Sequence, residues 1–187
     1  MQALLVVIYV LVVIAALVSV TGIIIWEWSL AFTDAPFVPI PPDVLPHIVA
    51  ALELTDGSNM YDLGSGDGRV LFSCWANRSG ASYVGIDIAL APTWFARWRR
   101  YRLGNPDAIR ILRRDILTTD LSNATHVFTY LFPGLMEKLL PKLQRELKLG
   151  TRLVSCDFPF THKEPVKVID LQRPERSRGR KLYVYQF

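Results

Sequence analysis

The chain has 187 residues, room for one domain and a short appendage. Its 21 Lys and Arg against 17 Asp and Glu leave a net charge of +4, unevenly spread: residues 1–68 hold seven acids and no Lys or Arg, and the remainder nets +11. Two cysteines exclude a disulfide framework, and three scattered histidines, His47, His126 and His162, give no metal-ligand spacing, so no metal is expected.

In chain order, the stretch from Ala3 to Ile25 carries no charge, and only Tyr9, Ser19, Thr21 and Gly22 interrupt its aliphatic run. Residues 3–25 are long enough to cross a lipid bilayer as a helix. Trp26 and Trp28 follow, as interfacial aromatics do. A cleaved signal peptide would open with cations and have a shorter apolar core. Met1-Gln2 has no charged side chain, so the expectation is a retained single-pass transmembrane anchor over residues 1–28. The absence of Arg argues against a mitochondrial presequence. No Lys or Arg flanks the segment to set its orientation. Residues 29–42, with Pro36, Pro39, Pro41 and Pro42, read as an extended proline-rich connector. Residues 43–54 then read as an amphipathic helix with Asp43 as its N-cap and Pro46 in its first turn.

The domain over residues 43–187 opens with a strand at 58–63, which runs into Asp62-Leu63-Gly64-Ser65-Gly66-Asp67-Gly68 and a helix at 68–78. Glycines at alternate positions let backbone approach a ligand with no Cβ in the way, and the following helix N-terminus presents free N–H groups. The dinucleotide fingerprint is G-x-G-x-x-G. Here the pattern is D-x-G-x-G-x-G, which suits a ligand carrying an amino-acid tail rather than a pyrophosphate. Asp87 ends the next strand, 82–86, where a carboxylate can accept from both ribose hydroxyls, with Ile88 beside it. Asp115 follows a strand at 108–112, placed to receive the exocyclic amine of an adenine, with Ile116 against the ring. Three acids at three successive strand ends outline one nucleoside pocket. The competing reading is that each acid caps a turn or helix.

Between the second and third strands, a helix at 90–103 is both cationic and aromatic. Trp94, Trp98 and Tyr101 fall on one helical face, read here as turned to the core with the arginines in water; the competing reading is a docking surface for membrane or substrate. A strand at 125–131, a helix at 134–148 and a strand at 150–156 follow. The alternation predicts an α/β, doubly wound, mostly parallel sheet. Val166–Leu171 and Leu182–Tyr185 break it, reading as an antiparallel C-terminal hairpin. Cys74 and Cys156 read as buried small hydrophobes.

Residues 62–68, Gly85-Ile86-Asp87 and Arg114-Asp115-Ile116 resemble the motifs of the class I S-adenosylmethionine-dependent methyltransferases. The resemblance implies a Rossmann-like seven-strand fold and S-adenosyl-L-methionine as cofactor, with Asp62, Leu63, Gly64, Ser65, Gly66, Asp67, Gly68, Asp87, Ile88, Asp115 and Ile116 around it. The apolar N-terminal segment, Pro36-Phe37-Val38-Pro39, Tyr130-Leu131-Phe132-Pro133 and Cys156-Asp157-Phe158-Pro159-Phe160 are similar to one branch. This is the small membrane-anchored protein-lysine methyltransferases of mitochondria, which modify the adenine nucleotide translocase and the c ring protein of ATP synthase, with their soluble archaeal relatives. In that branch the connector folds back beside the cofactor, so Phe37, Val38 and Pro39 would wall the active site. The chain departs from it after Asp87, where Ile88-Ala89-Leu90 stands in place of Asn-Pro.

Methyl transfer needs alignment and water exclusion rather than an enzymic nucleophile. Tyr130, at the end of the fourth strand, is placed to line an amine slot; Phe158 and Phe160 would help close it. No general base is assigned. The expectation is a membrane-anchored protein-lysine N-methyltransferase acting on a membrane or membrane-proximal protein. Its catalytic domain would face the cytoplasm, where the cofactor is made, in a bacterial inner membrane rather than a mitochondrion. Two alternatives stand beside it: a methyltransferase for a lipid or lipophilic small molecule, and a non-catalytic cofactor-binding membrane module. The cationic domain would be drawn to anionic headgroups; nucleic acid ranks lower as a partner.

Overall fold

The computed structural model describes residues 2–31, 38–175 and 177–187, with residues 25–31 described as backbone alone. The chain divides into two compact units, Met1–Thr33 and Asp34–Phe187. The first is one helix, α1 (Gln2–Ala31), so the helix runs into the stretch read as connector. Its segment Gln2–Ile24 has a mean hydropathy of 3.2 and is long and apolar enough to cross a membrane by length and composition. The polar side chains do not spoil it: Ser19 Oγ donates to the Ala15 carbonyl at 2.9 Å, and Thr21 Oγ1 donates to the Leu17 carbonyl. Both hydroxyls are satisfied by their own helix, as a bilayer interior demands. The remainder of the connector up to Phe37 lies outside the described residues.

The second unit is an α/β domain. A 3-10 turn, Pro42–Val44, leads into α2 (Leu45–Leu52). Asp43 does not cap this helix: its carboxylate pairs with Arg173 instead, and the Leu45 N–H donates to the Pro42 carbonyl of the preceding turn. Then come β1 (Asn59–Leu63), α3 (Arg69–Asn77), β2 (Ser82–Asp87), α4 (Leu90–Arg102), β3 (Ile109–Arg113), β4 (His126–Thr129), α5 (Pro133–Glu146), β5 (Arg152–Cys156), β6 (Lys167–Asp170) and β7 (Lys181–Gln186). The strands form one sheet in the order β3-β2-β1-β4-β5-β7-β6, with β7 antiparallel to both β5 and β6. The predicted doubly wound sheet and C-terminal hairpin are therefore present. Strand order reverses between β1 and β4, and a doubly wound sheet opens its ligand crevice at the strand C-termini there.

Alternation along the strands divides the core between the two sheet faces. Met60, Phe128, Val154 and Val184 pack with Ile48, Leu52, Val70 and Leu71 from α2 and α3. Leu63, Val127, Leu153 and Tyr185 pack with Met136, Leu139 and Leu143 from α5. Cys74 and Cys156 are both free and fully buried, and burial pushes both thiols up, so they act as hydrophobes.

One predicted packing is reversed. Trp94, Trp98 and Tyr101 are 59%, 51% and 69% exposed, so the aromatic stripe of α4 faces away from the core. The helix packs instead through Pro92, Thr93 and Ala96. The cause is close approach. Ala96 lies against Gly68, where a Cβ would stand 3.4 Å from the alanine methyl, and no indole fits that gap.

Candidate cofactor and acceptor site

Beyond Leu63 the chain turns over five residues into α3. Gly64, Gly66 and Gly68 hold φ values of 77°, 55° and 75°, a region costly for any residue with a Cβ. A Cβ at Gly64 would stand 2.6 Å from Leu131 Cδ2, so the turn lies against the chain leaving β4. Gly64 N–H and Ser65 N–H both donate to the Ile86 carbonyl, at 2.8 and 3.0 Å, locking the turn to the end of β2. Ser65 Oγ is buried, with no hydrogen-bond partner among the described residues.

The acids around this turn do different work. Asp62 is 2% exposed, and its carboxyl is pushed up to about 8, first by burial and then by the charges of Asp87 and Asp67. Asp87 accepts from Gly66 N–H and Ala89 N–H, each at 2.8 Å; burial raises its pKa against the pull of these bonds. Burial also opposes the charge on Asp67, but Arg69 outweighs it and holds the carboxyl below its ordinary range. Arg69 grips Asp67 through Nε at 3.0 Å and Nη2 at 2.8 Å, while its Nη1 donates to the Ile40 carbonyl at 2.7 Å. That fork ties the end of the connector, with half-buried Val38 and Pro39, to the glycine turn. Phe37 lies outside the described residues. Arg69 has no signal of its own in the sequence, where it reads only as the first cation after a long acidic stretch.

Asp115 behaves as the capping alternative expected: its Oδ1 accepts from Leu117 N–H at 2.8 Å. It nevertheless sits just past β3, one strand over from Asp87, with Ile116 buried beside it and Arg114 N–H donating to the Asp87 carbonyl at 3.1 Å. Ile88 is half exposed at the β2 end. Topology thus sets all the acids along one edge of the sheet, and charge coupling links Asp62, Asp67 and Asp87.

An aromatic group stands across the switch point. Tyr130 stacks on Phe158 with ring centroids 5.8 Å apart, and Phe132 meets the same Phe158 ring at 5.5 Å. Tyr130 follows β4 rather than ending it, because the strand stops at Thr129. Burial, reinforced by the nearby Asp157 charge, pushes the Tyr130 phenol up to about 12, so it stays neutral near pH 7. Phe160 does not join this group: it is buried edge-on against Tyr185 at 4.9 Å, and its N–H donates to the Tyr185 hydroxyl. Phe132 takes the place expected of Phe160; the aromatic on either side of Leu131 was the available signal. Asp157 anchors the arrangement with a left-handed φ of 61°, accepting from the N–H groups of Gly179, Arg180 and Lys181.

The family model for the ANTKMT methyltransferase domain matches residues 62–167, more than half of the chain, from Asp62 through both strand-end sites to β6. The chain belongs to the ANTKMT methyltransferase domain family. It is 30% identical over 149 residues to a protein-lysine N-methyltransferase of Saccharolobus islandicus, covering 80% of this chain and 92% of that one. It is 32% identical over 130 residues to the Homo sapiens lysine N-methyltransferase named for the c protein of ATP synthase, covering 70% of this chain and 54% of that one. Among solved structures, an RNA methyltransferase from Salinibacter ruber in complex with S-adenosyl-L-homocysteine superposes with a TM-score of 0.73 at 32% identity. That match covers 80% of this chain and 93% of the other. The chain thus spans about half the length of the human relative.

The ANTKMT-family cofactor is S-adenosyl-L-methionine, and the residues present fit it. The turn is bare backbone on its left-handed glycines, which leaves room for a ligand tail. The surrounding charge selects the ligand's sign. The charges of Asp87 and Asp67 raise the cost of ionising the buried Asp62, so the site gains from a cation and would repel a pyrophosphate. A methyl donor with an ammonium and a sulfonium meets that demand.

Proposed function

We propose that this ANTKMT-family chain is an S-adenosylmethionine-dependent protein-lysine N-methyltransferase. Residues 2–24 hold it in a membrane, and it acts on a membrane or membrane-proximal protein. Residues 1–28 serve as anchor, 29–42 as connector and 43–187 as catalytic domain on the cytoplasmic face. The observation that carries the reading is the Tyr130–Phe158–Phe132 stack at the ends of β4 and β5, across the sheet's switch point from the glycine turn. The names of the human and archaeal relatives support a lysine acceptor.

The bound cofactor supplies a methyl group on a positively charged sulfur. The chain's own residues do the rest. Asp87 takes the ribose hydroxyls, Asp62 and the glycine turn hold the amino-acid end, and Asp115 with Ile116 frames the adenine. Val38 and Pro39 close one wall beside the Arg69 clamp. A lysine amine has an ordinary pKa of about 10.4 and must reach the site without its proton. The apolar faces of Tyr130 and Phe158 favour the neutral amine by withholding water. As the attacking nitrogen gains charge, the same rings face a developing cation, which their π-faces stabilise. Tyr130 is a neutral phenol throughout and takes no proton.

The test is tritiated-methyl transfer from S-adenosylmethionine into a membrane extract, followed by mass spectrometry of the labelled species. Label on protein lysine, reduced at least about tenfold by Tyr130→Ala but far less by Tyr130→Phe, supports the reading. Label in the lipid fraction identifies a lipid methyltransferase, and tight cofactor binding with no label anywhere identifies a non-catalytic module.

A further inference from the structure

We infer that the outer face of α4 is a peripheral docking surface for an anionic lipid bilayer. At about 100° per residue, Leu90, Trp94, Trp98 and Tyr101 fall within an arc of about 80°, and Ala96, at the centre of the packed face, lies opposite. All four outer side chains are at least 48% exposed. Helix α4 contains four arginines and no acid. Arg97 and Arg102 flank the aromatic arc on either side, and the Arg102 guanidinium lies 5.5 Å from the centroid of the Trp98 ring. Arg99 and Arg100 point elsewhere: Arg99 lies over the Phe72 ring and Arg100 donates to the Pro106 carbonyl.

This pattern has a specific chemical fit. Tryptophan and tyrosine prefer the headgroup layer, where the ring is half apolar and the N–H or O–H stays wet. Arginines on either side would pair with anionic headgroups. Beyond the helix, Arg110, Arg113 and Arg114 on the edge strand β3 and just after it are exposed too, extending the positive field. A protein partner of ordinary composition does not demand this ring of indoles and guanidinia. A bilayer does, and the chain's own Gln2–Ile24 segment is of a length to sit in one. The inference rests on that membrane reading only for proximity, and the experiment separates the two.

The full chain is reconstituted in vesicles of phosphatidylcholine alone and in vesicles with about one-third phosphatidylglycerol. Flotation with phosphatidylcholine alone reads insertion of the N-terminal segment. A spin label on Tyr101→Cys reads α4; the buried Cys74 and Cys156 leave that site selectively reactive. The expected result is flotation with both vesicles, and a label at position 101 that gains accessibility to oxygen and loses accessibility to a water-soluble nickel reagent only with phosphatidylglycerol. Adding Trp94→Ser and Trp98→Ser should abolish the shift while leaving S-adenosylhomocysteine affinity unchanged. A label that stays equally water-accessible in both vesicles, with flotation intact, overturns the inference and spares the anchor. Failure to float with phosphatidylcholine alone, with the label shift retained on phosphatidylglycerol, overturns the anchor alone. Shielding by added RNA and not by anionic lipid overturns the inference in favour of a nucleic-acid surface.

Discussion

At the residue scale, the buried Asp62 carries a conflict between stability and binding. Its carboxyl titrates at about 8 in the folded chain, far above the ordinary 3.8. Between those values the native state holds a proton that the unfolded chain lacks, so this group's stabilising contribution is lost as pH rises towards 8. Replacing it with a neutral isostere removes the cost of ionisation. Asp62→Asn is expected to melt at a higher temperature than wild type at pH 8.5, with the gap narrowing towards pH 5, while its affinity for S-adenosylhomocysteine falls at least about tenfold. Scanning calorimetry across pH checks the first part and titration calorimetry the second. A bound ammonium would favour the ionised carboxylate, so cofactor binding at pH 7 should release protons; heats measured in buffers of different ionisation enthalpy read that release directly. A variant that loses stability at pH 8.5 would show Asp62 to be paired rather than poised.

At the element scale, the sheet and its motif-bearing turns were legible because their signals are local. The glycine pattern after β1, an acid after β2 and apolar runs of strand length each declare themselves within a few residues. What the sequence hid depends on partners. The aromatic stripe of α4 reads as core by hydrophobicity alone; only the proximity of Ala96 to Gly68 shows that the packed face must be small. Phe158 and Phe160 look equivalent two residues apart, yet one stacks on Tyr130 and the other packs edge-on against Tyr185. Asp43 finds Arg173 at the far end of the chain, a pairing that no helix-capping rule contains. The hairpin depends on Asp157, which takes three backbone N–H groups from the β7 approach. Asp157→Ala strands those donors and should cost about 3 kcal/mol. Hydrogen exchange should rise first across residues 171–181. Asp157→Asn keeps the acceptor oxygen that serves Arg180 and Lys181 and should lose much less; equal losses would contradict this account of the anchor.

At the scale of the whole molecule, one chain joins an apolar helix to a domain whose charges divide into two fields. The glycine turn gathers Asp62, Asp67 and Asp87, which favours a cationic ligand, whereas residues 69–187 carry the chain's entire stock of Lys and Arg. The acids are held within the sheet crevice and the bases lie mostly outside, so the cofactor and an anionic surface are drawn to different places. If the N-terminal segment is only an anchor, cofactor affinity should be the same in detergent and in vesicles, while methyl transfer to a lysine of a membrane protein rises when both share one bilayer. Equal transfer rates from separate vesicle populations would count against anchoring as a means of finding substrate.

The cofactor cradle is the claim on which the rest stands, and titration calorimetry tests it most directly. The wild-type chain should bind S-adenosylhomocysteine at one site per chain and fail to bind NAD. Asp87→Ala, which removes the acceptor expected for the ribose hydroxyls, should weaken that binding at least about tenfold. Binding unchanged by Asp87→Ala, or a preference for NAD, would contradict the account.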